Sequence, residues 1–331
     1  MIIWNQASCT RCFLLPKQAE MEVSIVPYRQ SYDPAIEKLE RKTRQGQQIK
    51  LKILKDHFLS RACVFSKYNT FLAINHQDRV IATAISAQTK IKINHKLHDC
   101  CIGFDVKVES KYRNHGIGRK LARQIIQLSK AEGIIRHMVT MKSSNIPVIR
   151  LLSKATTGLW FYSFVYLTIP TRKPLDNNKL NLAKQQQFKI TLFDHKQMDT
   201  SFYATFPNGL ACFFTHKLYR LQVDKISWFY KLGLHILKLL KPSRYSQLPD
   251  ENDEMNFATL FNHTGKNIEN LNEVLSFLHK NNIQYLQVCC SKNDSIYQFL
   301  KLNSISTYSY TLVTDFQLSA KDQVTLDVRC L

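Results

Sequence analysis

The chain has 331 residues, 44% of them hydrophobic and 21% charged, the proportions of a globular protein able to fill two cores of ordinary size. Only nine glycines and nine prolines are present, which excludes collagen-like repeats and long low-complexity linkers. The formal net charge of +21 points to anionic partners, such as phosphate-bearing cofactors, acidic proteins, nucleic acid or membrane surfaces, unless it is simply spread over a solvated lysine-rich surface.

The nine cysteines are an odd number, and a reduced, cytoplasmic setting suits them best. Cys100-Cys101 and Cys289-Cys290 sit in apolar runs and read as small core residues in strands. Cys9 and Cys12 form a lone CxxC with no second pair at zinc spacing, so no metal is expected. No stretch reaches the ~18 apolar residues of a membrane span. Residues 1–21 lack the regions of a signal peptide and read as an N-terminal extension, with Met21 directly before the first strand.

In chain order, "EVSIVPY" is a predicted strand and "SYDPAIEKLERKT" a helix with a capping candidate. "IKLKILKDHFL" reads as a second short helix. "TFLAINHQDRVIATAISAQTKIKIN" is a hairpin around His76-Gln77-Asp78, and "CCIGFDVKVES" the next strand. A long amphipathic helix follows over about 116–132, closed by Gly133. "IRHMVTMK" is a buried strand, "NIPVIRLLSK" a helix with Pro147 in its first turn, and "LWFYSFVYLTI" a last strand. Residues 171–188 are polar and read as a linker between a domain at 22–170 and another at 189–331. The second opens with "FKITLFD" and contains the cationic amphipathic segment "KISWFYKLGLHILKLLK". Its remainder runs strand ("NFATLFNHT"), helix, strand ("IQYLQVCCS"), helix ("NDSIYQFLKLN") and strand ("STYSYTLVTDF"). That repeats the closing order of the first half and suggests a diverged internal duplication. The predicted class is α/β (α+β), a mixed, mostly antiparallel sheet flanked by helices.

The chemistry concentrates in "VKVESKYRNHGIGRKLARQII". A strand hands over to a helix through Arg-x-x-Gly-x-Gly, with Arg113, Gly116 and Gly118 in the pattern. A helix N-terminus offers unpaired N–H groups and partial positive charge, glycines permit close approach, and phosphate is the natural occupant. Arg113, His115 and Arg119 add positive potential. A Rossmann loop is excluded because Leu121 stands where its third glycine belongs, and a Walker loop because the Lys-Ser/Thr pair is missing.

This segment resembles the acetyl-coenzyme A signature of the GNAT N-acetyltransferases, and the order of elements over residues 22–170 is similar to theirs. The phrase "LKDHFLSRACVFSKYNTFLA" resembles the plant HOOKLESS-like acetyltransferases. The resemblance implies a GNAT fold followed by a second, GNAT-like half. It implies that the backbone of Val106, Lys107 and Val108 pairs with a pantetheine arm. The turn from Asn114 through His115, Gly116, Ile117 and Gly118 to Arg119 would hold a pyrophosphate, and Asn145 would meet the cofactor arm. It also implies acetyl-coenzyme A as co-substrate and direct transfer to a primary amine in a ternary complex.

The catalytic groups fit less well. An amine at neutral pH must lose a proton before it attacks. Many GNAT enzymes use a Glu on the strand before the turn and a Tyr seven residues after the Asn; those positions here are Ile102 or Gly103, and Leu152. Asp105, in an apolar strand, is the candidate base, with burial expected to raise its pKa. Glu109 reads as a solvated carboxylate at the strand end, and Tyr162 and Tyr166, on the last strand, are candidate hydroxyls unless they are core residues. The acceptor is expected to be a protein amine or small amine, with charge favouring an acidic or nucleic-acid-associated one. A non-catalytic acyl-coenzyme A-binding regulator and a basic nucleic-acid-associated protein are the alternatives. The helix around Trp228–Lys241 is expected to pack its apolar face onto its own domain, a membrane or nucleic acid being the other reading.

Overall fold

The computed structural model describes residues 22–42, 46, 48–172, 174–175, 187–195, 198–240, 248–264 and 267–331. Its first half runs β1 (Val23–Pro27), α1 (Asp33–Lys42), β2 (Ile49–Leu54), β3 (Tyr68–Asn75), β4 (Val80–Ile93), β5 (Lys96–Val108), α2 (Ile117–Ala131), β6 (His137–Lys142), α3 (Ile146–Ala155) and β7 (Trp160–Pro170). The second half runs β8 (Phe188–Thr191), β9 (Tyr203–Thr205), β10 (Ala211–Phe213), β11 (Arg220–Ile226), α4 (Trp228–Leu240), β12 (Glu254–Met255), β13 (Phe257–Phe261), α5 (Leu271–Lys280), β14 (Tyr285–Cys290), α6 (Ser295–Asn303), β15 (Ser306–Thr314) and β16 (Val324–Asp327). The N-terminal extension with Cys9 and Cys12, and most of the expected linker, lie outside the described residues.

Among these residues one 13-stranded, mostly antiparallel sheet carries the fold, in the order β1-β3-β4-β5-β6-β15-β7-β14-β13-β10-β9, with β16 and β8 attached through β4. Its order exchanges strands between the halves. β15, late in the second half, lies between β6 and β7, while β7, last of the first, pairs with β14. The parallel pairs β5–β6 and β13–β14 occupy equivalent places in the two halves. The duplicated order in the sequence is therefore matched by a reciprocal arrangement in space.

Helices cover the sheet with the stripes their spacing dictates. In α2, Ile117, Leu121 and Ile125 are buried at four-residue intervals and pack on Phe71, Ala73, Ile81 and Ala84 of β3 and β4. Gly133, at φ +79°, ends that helix in the left-handed conformation glycine favours. In α5, Leu271, Val274, Leu275 and Leu278 face a separate cluster with Val165, Leu167 and Val288 of β7 and β14. Cys100, Cys101, Cys289 and Cys290 are buried strand residues, as expected.

Two expectations fail. "IKLKIL" is strand β2, not helix: it pairs with β11, some 170 residues away in sequence, in a second sheet completed by β12. Its alternating Lys50 and Lys52 suit one wet face of a strand. And α4 buries none of its residues, so its apolar face is not packed on the domain.

His137 joins three elements at the start of β6. Its ring nitrogens lie 2.5 Å from Ser129 Oγ of α2 and 2.6 Å from Asp315 Oδ2 beyond β15. Ser129 is buried and also bonds the Ile125 carbonyl, so this Ser-His-Asp set ties the fold together rather than presenting a nucleophile.

Candidate functional site

β5 and β6 share only two register positions, Cys101 with His137 and Ile102 with Met138. Beyond them β6 stays with β15, Val139 opposite Val313 through Lys142 opposite Tyr310, while β5 stays with β4. A bulge helps part them. Thr83 pairs with Lys107 and Ile85 with Phe104, leaving Asp105 and Val106 against the single residue Ala84. Asp105 takes φ +51°, and a bulge of this kind bends and twists its strand. From Gly103 to Val108, β5 has no strand on its β6 side among the described residues. Its backbone there borders a V-shaped opening in which an extended ligand can pair.

The turn at the end of β5 sets the N-terminus of α2 beside the opening. Asn114 (φ +68°) and Gly116 (φ +77°) are both left-handed, and α2 begins at Ile117. No side chain caps the helix, and its first bond back to the turn is from the Lys120 N–H to the Gly116 carbonyl, 3.0 Å. The amides before Lys120 therefore point outward with the positive end of the helix dipole. Arg119 curls over the turn, its Nη2 3.3 Å from where a Cβ on Gly116 would lie. Arg113 turns back instead and donates from Nε to the Val108 carbonyl, 3.1 Å, tying turn to strand. Gly118 serves packing: a Cβ there would sit 2.3 Å from Leu151 Cδ1 of α3. Asn145 heads α3 at the end of β6, on the opposite wall. Its carbonyl accepts from the Val148 and Ile149 amides, and its side chain makes no capping bond. Of the residues expected to hold a cofactor, Ile117 is core, Val106 is exposed, and the Lys107 ammonium bonds Glu40.

In the bulge, Asp105 meets cations invisible in its own strand. Lys55 Nζ lies 2.5 Å from Oδ2 and Arg61 Nη1 3.7 Å from Oδ1, with the Asp105 side chain 11% exposed and that of Lys55 only 2%. Burial pushes the carboxyl pKa up, but Lys55, Arg61 and Lys107 outweigh it and carry it down to about 2. The expected upward shift is thus reversed. Glu109 is also not solvated: its side chain is 11% exposed, and both oxygens lie 2.7 Å from Arg79 Nη2. Tyr162 sits on β7, separated from β6 by β15, and its hydroxyl accepts from the Leu318 amide at 2.5 Å. Leu152 is buried with Met141 and Val313. Tyr166, on the same strand as Tyr162, is buried, its hydroxyl without a hydrogen-bond partner among the described residues and its ring 4.9 Å from that of Tyr310. Burial pushes its pKa well above normal. Lys55, Arg61 and Glu40 escaped sequence reading because nothing in their local spacing ties them to a bulge 44–65 residues later.

Residues 35–156 match the model of the acetyltransferase (GNAT) family. The GNAT match spans the bulge, the turn, α2 and α3, and it supports acyl-coenzyme A-dependent acyl transfer for that segment. No protein of curated function matches the sequence. Among solved structures, the Saccharomyces cerevisiae N-myristoyltransferase with bound myristoyl-CoA and inhibitors aligns over 92% of this chain and 82% of its own, at 8% identity and TM-score 0.55. Another structure of that enzyme with bound myristoyl-CoA covers 94% of this chain and 86% of its own, at 8% identity and TM-score 0.53. At such identity the likeness is one of fold, and it runs through both halves. A GNAT-family acetyltransferase from Staphylococcus aureus Mu50 covers 43% of this chain and 86% of its own, at 15% identity and TM-score 0.31.

Proposed function

We propose that the chain is an acyl-coenzyme A-dependent N-acyltransferase that carries an acetyl group from acetyl-coenzyme A to a primary amine by direct attack in a ternary complex. The observation behind this reading is the parting of β5 from β6 beside the uncapped start of α2, inside the segment that matches the family. In this reading the amides of Asn114–Arg119 take the pyrophosphate, the backbone of Val106–Val108 takes the pantetheine arm, and Asn145 meets the arm from the far wall. The thioester supplies an activated acyl group with a thiolate leaving group. Residues 22–170 form the cofactor unit, and residues 189–331 complete the acceptor groove, in a cytoplasmic protein.

Asp105, ionised down to a pKa of about 2, suits holding the bulge and countering positive charge better than taking a proton at neutral pH. Tyr162 offers a hydroxyl already engaged by Leu318. These two observations favour a second reading, in which the site binds acyl-coenzyme A without turnover.

Calorimetry with acetyl-coenzyme A and longer acyl-coenzyme A esters tests the first step. Binding should be measurable below ~100 μM, and Gly116→Trp should abolish it. Absence of binding to every ester at that concentration overturns both readings. Turnover against a panel of peptide and small amines then separates them, since binding without product supports the regulator.

A further inference from the structure

From the structure we infer that α4 docks this protein on an anionic phospholipid surface. In most surface helices the apolar stripe faces the core and the charges face water. Here the arrangement is inverted. On a helical projection Lys231, His235 and Lys238 share one side, and that side is fastened to the protein: Lys231 Nζ lies 3.1 Å from Glu251 and Lys238 Nζ 2.9 Å from Asp250. The remaining arc of roughly 200° carries Trp228, Phe229, Leu232, Ile236, Leu237, Leu239 and Leu240. All are exposed, from Leu237 at 39% to Leu240 at 73%, and no residue of the helix is buried. An exposed apolar face of this extent marks an interaction surface.

Charge and length select the occupant. From Lys225 to Pro249 the sequence contains five basic residues and no carboxylate; Lys231 and Lys238 are paired with Glu251 and Asp250, which leaves Lys225, Lys241 and Arg244 as the remaining cations of this window, within a chain of net charge +21. That complements anionic headgroups. Trp228, Phe229 and Tyr230 cluster in the first turn, with the Trp228 and Phe229 rings stacked 3.6 Å apart; such side chains favour the boundary between headgroups and acyl chains. Thirteen residues make a helix of ~20 Å, short of the ~30 Å hydrocarbon core, and no described helix is long and apolar enough to cross a membrane. The helix therefore lies in the plane of the surface with its apolar arc inserted, its polar side still attached to Asp250 and Glu251. This inference does not depend on the acyl-transfer reading.

The test is co-sedimentation of the full chain with vesicles of phosphatidylcholine containing about 30% phosphatidylserine, against vesicles of phosphatidylcholine alone. The protein should partition onto the anionic vesicles, and less so at high salt. The exposed double substitution Phe229→Glu with Ile236→Glu should weaken partition by about tenfold or more while circular dichroism stays unchanged. With Trp4 and Trp160 replaced by Phe, the emission of Trp228 should shift to the blue on addition of anionic vesicles. The inference is overturned if wild-type protein ignores anionic vesicles, or if the double variant binds them equally well. It is also overturned if sedimentation shows a dimer that the double variant dissociates, or if duplex DNA binds in place of vesicles.

Discussion

Lys55 Nζ and Asp105 Oδ2 lie 2.5 Å apart inside the bulge that parts β5 from β6. The pair stabilises a left-handed aspartate in a strand, and its pH dependence has a defined sign. Asp105 has a folded pKa of about 2 against ~3.9 in an unfolded chain. Its contribution is present above pH ~4 and is lost as pH falls through about 2, in total roughly 2–3 kcal/mol. Urea unfolding of wild type and Asp105→Asn should show their difference shrinking over that interval. At neutral pH the variant leaves Arg61 without this carboxylate and Lys55 with Glu40, 3.6 Å away, and should be less stable by ~2–3 kcal/mol. A constant difference across the interval would show that Asp105 is not held by these cations.

Asp294 acts in the opposite direction. Burial raises its pKa to about 6, although its oxygens accept from the Ser291 amide at 2.6 Å and the Gln187 amide at 3.0 Å. The folded state holds this proton more tightly than the unfolded chain. Its contribution is fullest below pH ~4 and disappears as pH rises through about 6, roughly 2–3 kcal/mol in all. Asp294→Asn removes that dependence, and the pH–stability curve of the variant should run flatter between pH ~4 and ~6.

Gly118 gives a steric prediction. With Leu151 Cδ1 2.3 Å from a hypothetical Cβ, Gly118→Ala should force α2 from α3 or displace Leu151, costing ~1–3 kcal/mol. Adding Leu151→Ala should recover part of that loss, because the two side chains meet. Thermal unfolding of the two single variants and the double variant reads the coupling.

Tyr162→Phe separates anchoring from catalysis. Losing the hydroxyl leaves the Leu318 amide without its acceptor, so stability should fall by ~1–3 kcal/mol. If anchoring is its whole role, kcat changes little once the protein is folded. A loss of kcat of about a hundredfold or more, with intact stability, would instead assign the hydroxyl to the reaction.

Local pattern carried much of the architecture. The β3–β4 hairpin, the α2 stripe, the order from β6 to β7 and the matching order in the second half were all legible in spacing and turn residues. What escaped was set at long range. Lys50 and Lys52 alternate as a strand should, but β2 is held by β11, whose pairing leaves no local mark. The apolar surroundings of Asp105 suggested a raised pKa, and the cations that reverse it come from the segment after β2. The amphipathic pattern of α4 was plain, but periodicity cannot say which face meets the protein. Acidic residues Asp250 and Glu251, beyond the helix end, decide that. In the turn, the two glycines looked alike. Only geometry separates Gly116, required by its dihedral, from Gly118, required by a neighbouring leucine.

The insertion of β15 between β6 and β7 has a consequence for the newborn chain. While Ser306–Thr314 is still being synthesised, the flanks of Met138–Lys142 and Trp160–Thr168 that it will occupy have no native neighbour. Bare edges of this kind invite pairing with other chains. Closing the gap joins residues at least 138 positions apart, from Ser306 with Thr168 to Thr314 with Trp160, a slow step by its topology. Maturation of the first half thus waits on Ser306–Thr314, and a ribosome stalled before them would leave an adhesive intermediate instead of half a working protein.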